Sequence, residues 1–216
     1  LSLQNKALFF KVKNSLSAFQ QFVANYRKKF HFPVIGITGS NGKTIVKEWL
    51  NFLLNTDFNI IKSPKSYNSQ VGVPLSVIAI NENHNLGIFE AGISLPNEME
   101  VLEQIIQPNI GILTSIGSAH NEGFESLDQK ISEKLKLFKH VSVLICEHNP
   151  KVLNLINLET KRFTWSFLDQ GDVNFKLKKE AVLEVMTNEN TFEITIPFTD
   201  QSSLQNIATC VTALLY

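Results

Sequence analysis

The spacing of apolar positions changes several times along the chain, and each change marks an element. Leu16, Phe19, Phe22, Val23 and Tyr26 recur at helical spacing behind Asn14 and Ser15, which predicts a helix capped by one of those two side chains. Arg27-Lys28-Lys29 suits the negative end of that helix's dipole and reads as a solvated helix end. Val34-Ile35-Gly36-Ile37 is a short β-like run, after which Val46, Trp49, Leu50, Leu53 and Leu54 return to the helical period. Strands are then expected at 58–61, 86–89, 110–113 and 141–145. They alternate with helices that begin near Gly72-Val73-Pro74 and that cover 96–106, 127–138 and 150–156. Short buried strands alternating with helices predict an α/β fold, a P-loop-type and mostly parallel sheet with helices on both faces. From residue 162 the runs at 162–165, 173–177, 181–186 and 192–196 look like strands joined by tight turns such as Asn188-Glu189-Asn190. They predict an antiparallel β segment added to the parallel sheet, and 202–215 is expected to close the chain as a helix. A further strand is expected at 7–12, with no partner nearby in the sequence.

Composition narrows the class. Of the 216 residues 44% are apolar, enough for a substantial core, and acidic and basic residues balance at 20 each. That balance gives no global field to attract nucleic acid or an anionic membrane. Cys146 and Cys210 lie far apart in apolar surroundings with no metal-type spacing, which fits reduced thiols in a cytoplasmic protein. No apolar run reaches membrane-spanning length and the start has no signal-peptide plan, so membrane insertion is not expected. The start without methionine and the apolar end at 212–216 read as cuts from something longer.

The most informative chemistry lies at Pro33-Val34-Ile35-Gly36-Ile37-Thr38-Gly39-Ser40-Asn41-Gly42-Lys43-Thr44, a strand that runs into a glycine-bearing turn and then a helix. Such a turn lets backbone N–H groups approach a phosphate, and the helix adds its positive end. Lys43 can reach terminal phosphates, and the Thr44 hydroxyl can bind magnesium. The general P-loop pattern wants glycine at 37, where this chain has Ile37, so a plain strand-to-helix turn with a surface lysine is the competing reading. Glu90 ends a strand at the same edge of the sheet, where it can hold a metal bound to phosphates or simply face solvent. The loop after 110–113 carries His120, open to roles as metal ligand, base or cap, although a lone loop histidine is more often merely polar. Lys134 sits in the helix 127–138, whose Leu127, Ile131, Leu135 and Phe138 should face the core. Its neighbours Glu133 and Lys136 suggest a solvated charged face there.

Together Thr38-Gly39-Ser40-Asn41-Gly42-Lys43-Thr44, Lys47-Glu48, the stretch Tyr67-Asn68-Ser69-Gln70-Val71-Gly72-Val73-Pro74, Glu90-Ala91-Gly92 and Pro96-x-Glu98-Met99 resemble the Mur ligase family. These are ATP-dependent amide-forming enzymes of peptidoglycan synthesis. The resemblance is greatest to the branch that adds D-alanyl-D-alanine to UDP-N-acetylmuramoyl-tripeptide, which implies those two substrates. It further implies a central ATP-binding domain over 32–216, a linking helix over 14–31 and the tail of a sugar-nucleotide domain over 1–13, with a C-terminal domain outside the chain. The resemblance assigns the ATP phosphates to Thr38, Gly39, Ser40, Asn41, Gly42 and Lys43, and a first Mg2+ to Thr44 and Glu90. It assigns a second Mg2+ to His120 with a carbamylated Lys134, the substrate cleft to Asn68 and the adenine side to Asn206. Lys43, Glu90, His120 and Lys134 form the implied catalytic set. Ile45, Ser69, Lys136 and Ser202-Ser203 depart from the family's usual residues. Another Mur ligase, a folylpolyglutamate synthase-like ligase, an ordinary ATP hydrolase and a non-catalytic nucleotide-binding module are the competing readings.

Overall fold

The computed structural model describes residues 11–117, 123–157 and 159–216. Its strands are β1 (Val34–Thr38), β2 (Ile60–Lys62), β3 (Leu86–Glu90), β4 (Ile110–Leu113), β5 (Val143–Glu147), β6 (Lys161–Ser166), β7 (Val173–Leu177), β8 (Val182–Met186) and β9 (Thr191–Thr195). Its helices are α1 (Ser15–Arg27), α2 (Lys43–Leu54), α3 (Gly72–Val77), α4 (Glu98–Ile106), α5 (Leu127–Leu135), α6 (Pro150–Leu153) and α7 (Gln201–Leu215). The strands form one sheet in the order β2-β3-β1-β4-β5-β6-β7-β8-β9. Every pairing from β2 to β7 is parallel, and β8 and β9 are antiparallel to their neighbours.

The sheet is buried on both faces because β1, β3, β4 and β5 are almost wholly apolar. Side chains alternate between the two faces. Val34 joins a core with Val23 of α1, Val77 of α3, Leu102 of α4 and Ile131 of α5. Ile35 and Ile37 face the opposite side, with Val46 and Leu50 of α2 and Cys210 of α7. Gly36 allows the close passage of the segment before β4, since a Cβ there would lie 2.8 Å from the Pro108 side chain. Both thiols are buried and pushed up to about 12, so they behave as small core groups. No helix among the described residues is long and apolar enough to cross a membrane.

The structure corrects several local expectations. Residues 161–166 and 173–177 extend the parallel sheet, so the antiparallel addition begins only at the β7–β8 pair. A short connection between strands normally means a hairpin, because parallel strands usually need a long crossover. Here β6 and β7 overlap by only Trp165↔Val173 and Ser166↔Asn174, so the chain has merely to double back through 167–172. Asp172 pins that return by accepting hydrogen bonds from the Thr164 N–H and hydroxyl. The expected α1 forms with Asn14 as its cap, but Arg27 at its end is buried, not solvated. Its guanidinium donates to the carbonyls of Ile106, Phe30 and Gln107, binding α1 to the end of α4. Leu127 is exposed, and α5 ends at Leu135 in a short 3-10 turn, Lys136–Phe138. Lys11 and Val12 belong to no strand, and the rest of the strand expected at 7–12 lies outside the described residues.

Candidate functional site

β1 and β4 are neighbours, yet the chain leaves β1 for β2 on one side and β4 for β5 on the other. Such a reversal opens a crevice at the carboxyl ends of the strands. The turn after β1 lies in it, with Gly39 at φ 151° and Gly42 at φ 82°. A Cβ at Gly39 would overlap the Thr114 hydroxyl, and one at Gly42 would overlap the Asn206 side-chain oxygen. The turn is therefore held between the start of the loop after β4 and helix α7. Thr114 donates to the carbonyls of Asn41 (2.6 Å) and Thr38 (3.2 Å), the Ser40 N–H donates to the Ser115 carbonyl, and the Ser40 hydroxyl donates to Gly117. The Thr38 hydroxyl donates to the Ala91 carbonyl, which ties β1 to the end of β3. Asn206 is buried against this turn.

Two helices deliver lysines to the turn. Lys43, the first residue of α2, donates to the carbonyls of Gly39 (2.9 Å) and Ser40 (3.3 Å). Lys134 of α5 donates to the same Gly39 carbonyl at 3.1 Å, and Lys130 donates to the Gly117 carbonyl at 2.6 Å. Lys134 is only 3% exposed, so the sequence-based expectation of a solvated face is wrong. Glu133 is buried too and pairs with Lys136, which explains why the charge pattern of α5 looked like a surface. Burial pushes the Lys134 ammonium down to about 7, and the nearby charges of Lys43 and Lys130 act in the same direction. Burial also lowers Lys43, against the attraction of Glu90 and with the repulsion of Lys130. The Lys43 ammonium beside a glycine turn makes a site for a multiply charged anion, and a polyphosphate fits it.

Glu90 is wholly buried at the end of β3 and does not face solvent. The Thr44 hydroxyl donates to its Oε2 at 3.0 Å and lies 3.3 Å from Oε1. The Asn68 amide reaches Oε2 at 3.5 Å, and the Lys47 ammonium donates to Oε1 at 3.0 Å. A carboxylate and a hydroxyl side by side are hard oxygen donors of the kind magnesium takes, so Thr44 and Glu90 fit that ion. Beside them lies a cleft of about 350 Å³ lined by Lys43, Asn68, Ser69, Gly92, Glu98 and Lys134. Of the residues singled out in the sequence, Thr38, Gly39, Ser40, Asn41, Gly42, Lys43, Thr44, Asn68, Glu90, Lys134 and Asn206 gather around this one crevice. His120 lies outside the described residues. The sequence reading gave no role to Lys47, Lys130 or Thr114. One signal for the lysines was available: Lys43 with Lys47, and Lys130 with Lys134, are spaced four apart and so share a helix face.

The Mur ligase middle domain matches residues 37–214. UDP-N-acetylmuramoyl-tripeptide–D-alanyl-D-alanine ligase of Bacillus subtilis is 29% identical over 211 residues, covering 95% of this chain and 46% of that protein. The protein of the same name from Treponema pallidum is 38% identical over 126 residues, covering 58% of this chain and 27% of its own length. Among solved structures, MurF ligase from Thermotoga maritima in complex with ADP shares the fold with a TM-score of 0.85 at 24% identity, over 100% of this chain and 53% of that one. The chain thus spans about half the length of such relatives. With a family match over most of its length, the chain belongs to the Mur ligase family.

Proposed function

We propose that this chain is the ATP-handling part of a ligase that joins D-alanyl-D-alanine to UDP-N-acetylmuramoyl-tripeptide. The observation that carries the reading is the meeting of two half-sites. The Lys43 ammonium lies on the glycine turn, and the Thr44–Glu90 pair lies in the same crevice. The names of the similar proteins supply the two substrates.

In this reading the terminal carboxylate of the tripeptide attacks the γ-phosphorus of ATP, giving an acyl phosphate and ADP. The dipeptide's amine then attacks the acyl carbon, and inorganic phosphate leaves. The turn amides and Lys43 hold the phosphates and balance the charge that builds on the transferred group. Thr44 and Glu90 would hold magnesium, which would supply further charge neutralisation. Asn68, which lines the cleft and touches Glu90, orients the acceptor end of the tripeptide, and Asn206 supports the turn from the nucleotide side. A lysine near 7 is half neutral at neutral pH, and the neutral amine is the form that takes up carbon dioxide, which supports carbamylation of Lys134. His120 and the carbamate would hold a second magnesium. The contacts to the sugar nucleotide and the dipeptide that this chain lacks are assigned to further domains, and consumption of ATP goes with a cytoplasmic location.

The test is release of ADP by the intact protein. The proposal requires ADP release that depends on both the tripeptide and the dipeptide, and none from the 216-residue chain alone, which binds ATP without ligating. Phosphate release that ignores both substrates would make the protein an ordinary ATP hydrolase and overturn the proposal.

A further inference from the structure

Lys47 is among the largest fully buried side chains of the described residues, with no exposure at all. It lies one turn along α2 from Lys43 and Thr44, on the same side of the helix. Its ammonium has four oxygen neighbours from three directions. It donates to Glu90 Oε1 at 3.0 Å, to the Ser63 carbonyl at 2.8 Å and to the Lys65 carbonyl, and Glu48 Oε1 lies 3.3 Å away. The Glu90 N–H in turn donates to the Ser63 hydroxyl at 3.2 Å. Lys65 has φ 49°, in the left-handed region that a residue with a side chain adopts only when its surroundings hold it there. Three residues later the same loop carries Asn68, whose amide reaches the other Glu90 oxygen and whose carbonyl accepts from the Gly92 N–H at 2.7 Å.

We propose that Lys47 is a positioning residue for the metal carboxylate. By occupying Glu90 Oε1 it leaves Oε2 as the edge turned toward Thr44. By holding the carbonyls of Ser63 and Lys65 it fixes the loop that brings Asn68 to that same edge. The phosphate-binding lysine, the metal hydroxyl and the clamp on the metal carboxylate thus share one face of one helix, and their spacing follows from helix geometry instead of loop conformation. This inference rests on the reading of the crevice as an ATP and magnesium site, and it adds a residue that the reading itself does not need.

The test is calorimetric titration of the intact protein with ATP, in EDTA and across a series of free Mg2+ concentrations, for wild type, Lys47→Met and Lys47→Gln. Groups that orient a metal ligand typically contribute about 10- to 100-fold to metal affinity, so the Mg2+ needed for half of the gain in ATP affinity should rise by at least ~10-fold in Lys47→Met. ATP affinity in EDTA should stay within about 2-fold, because the Lys43 turn is untouched and a simple loss of structure would lower it in both conditions. Lys47→Gln keeps an uncharged NH2 donor and should fall between wild type and Lys47→Met. Unchanged Mg2+ dependence in variants that melt cooperatively overturns the inference. Loss of cooperative melting in both variants overturns it as well, since Lys47 would then serve the whole fold and not this carboxylate. Failure of the wild type to bind ATP, or to respond to Mg2+, would instead defeat the underlying functional reading.

Discussion

Helices α2 and α5 approach the same crevice from different places in the sequence, and each buries a lysine there, yet in opposite surroundings. Lys47 of α2 is surrounded by a carboxylate and two carbonyls, so the cost of removing its charge from water is offset by direct partners. Lys134 of α5 donates to the Gly39 carbonyl and faces the ammonium groups of Lys43 and Lys130, which oppose its charge as burial does. The same residue type, buried in both places, is ringed by oxygens on one helix and faced by other ammonium groups on the other. Burial alone therefore says little about what a lysine does. The sign of its neighbours decides.

The strongest way to break this comparison is to remove the partner. Lys47→Met leaves Glu90 as an unpaired buried charge and should cost about 3–5 kcal/mol in urea unfolding, whereas the double variant Lys47→Met, Glu90→Leu should recover most of that loss. Simple additivity of the two substitutions would show that the pair is not coupled and that the contrast with Lys134 is false.

A pH series sharpens the other side. The folded-state value of Lys134 is depressed to about 7, against roughly 10.4 for a lysine in the unfolded chain. Between those values the unfolded chain binds more protons than the folded one, so stability should rise with pH across that window. In bicarbonate-free buffer the wild type should gain on the order of a few kcal/mol relative to Lys134→Met between pH 7 and pH 10. Below pH 7 the ammonium form is a burden on the fold, so there Lys134→Met should be the more stable protein. A wild type that loses stability relative to Lys134→Met as pH rises would mean that the folded protein favours the charged amine.

The smallest effect is expected at a third kind of lysine. Lys178, at the antiparallel end of the sheet, pairs with Glu184 and Glu193 at 2.5 and 2.7 Å with its side chain 40% exposed. Lys178→Ala should leave the melting temperature unchanged within error, because exposed ion pairs are screened and their side chains must be ordered to form them. A marked loss there would show that ion-pair geometry matters more than burial in this protein.

Much of the fold was legible because it is written in local periodicity. The alternation of β1 to β5 with helices, the cap at Asn14 and the closing helix α7 each depend on residues within a few positions of one another. The glycine turn was legible for the same reason, since Gly39, Gly42, Lys43 and Thr44 act on one phosphate-sized volume from adjacent positions. Glu90 could be placed at the correct edge because strand direction in a parallel sheet puts every strand end on one side. The run of β6 and β7 was not legible, because a short connection suits a hairpin and a doubled-back parallel pair equally well.

The sequence by itself determined the alternation of strands and helices through β5, the glycine turn and the identity of the charged groups that could serve it. Only the tertiary structure decided which of those charges are buried and what each one faces. Arg27 and Lys134 both read as surface residues, yet the end of α4 closes over one and the glycine turn over the other. Lys and Arg have apolar stems with a charged tip, so their sequence patterns fit a solvated face and a buried network alike. The difference arises from segments as distant as Ile106 for Arg27 and Gly39 for Lys134. No window of neighbouring residues contains that information.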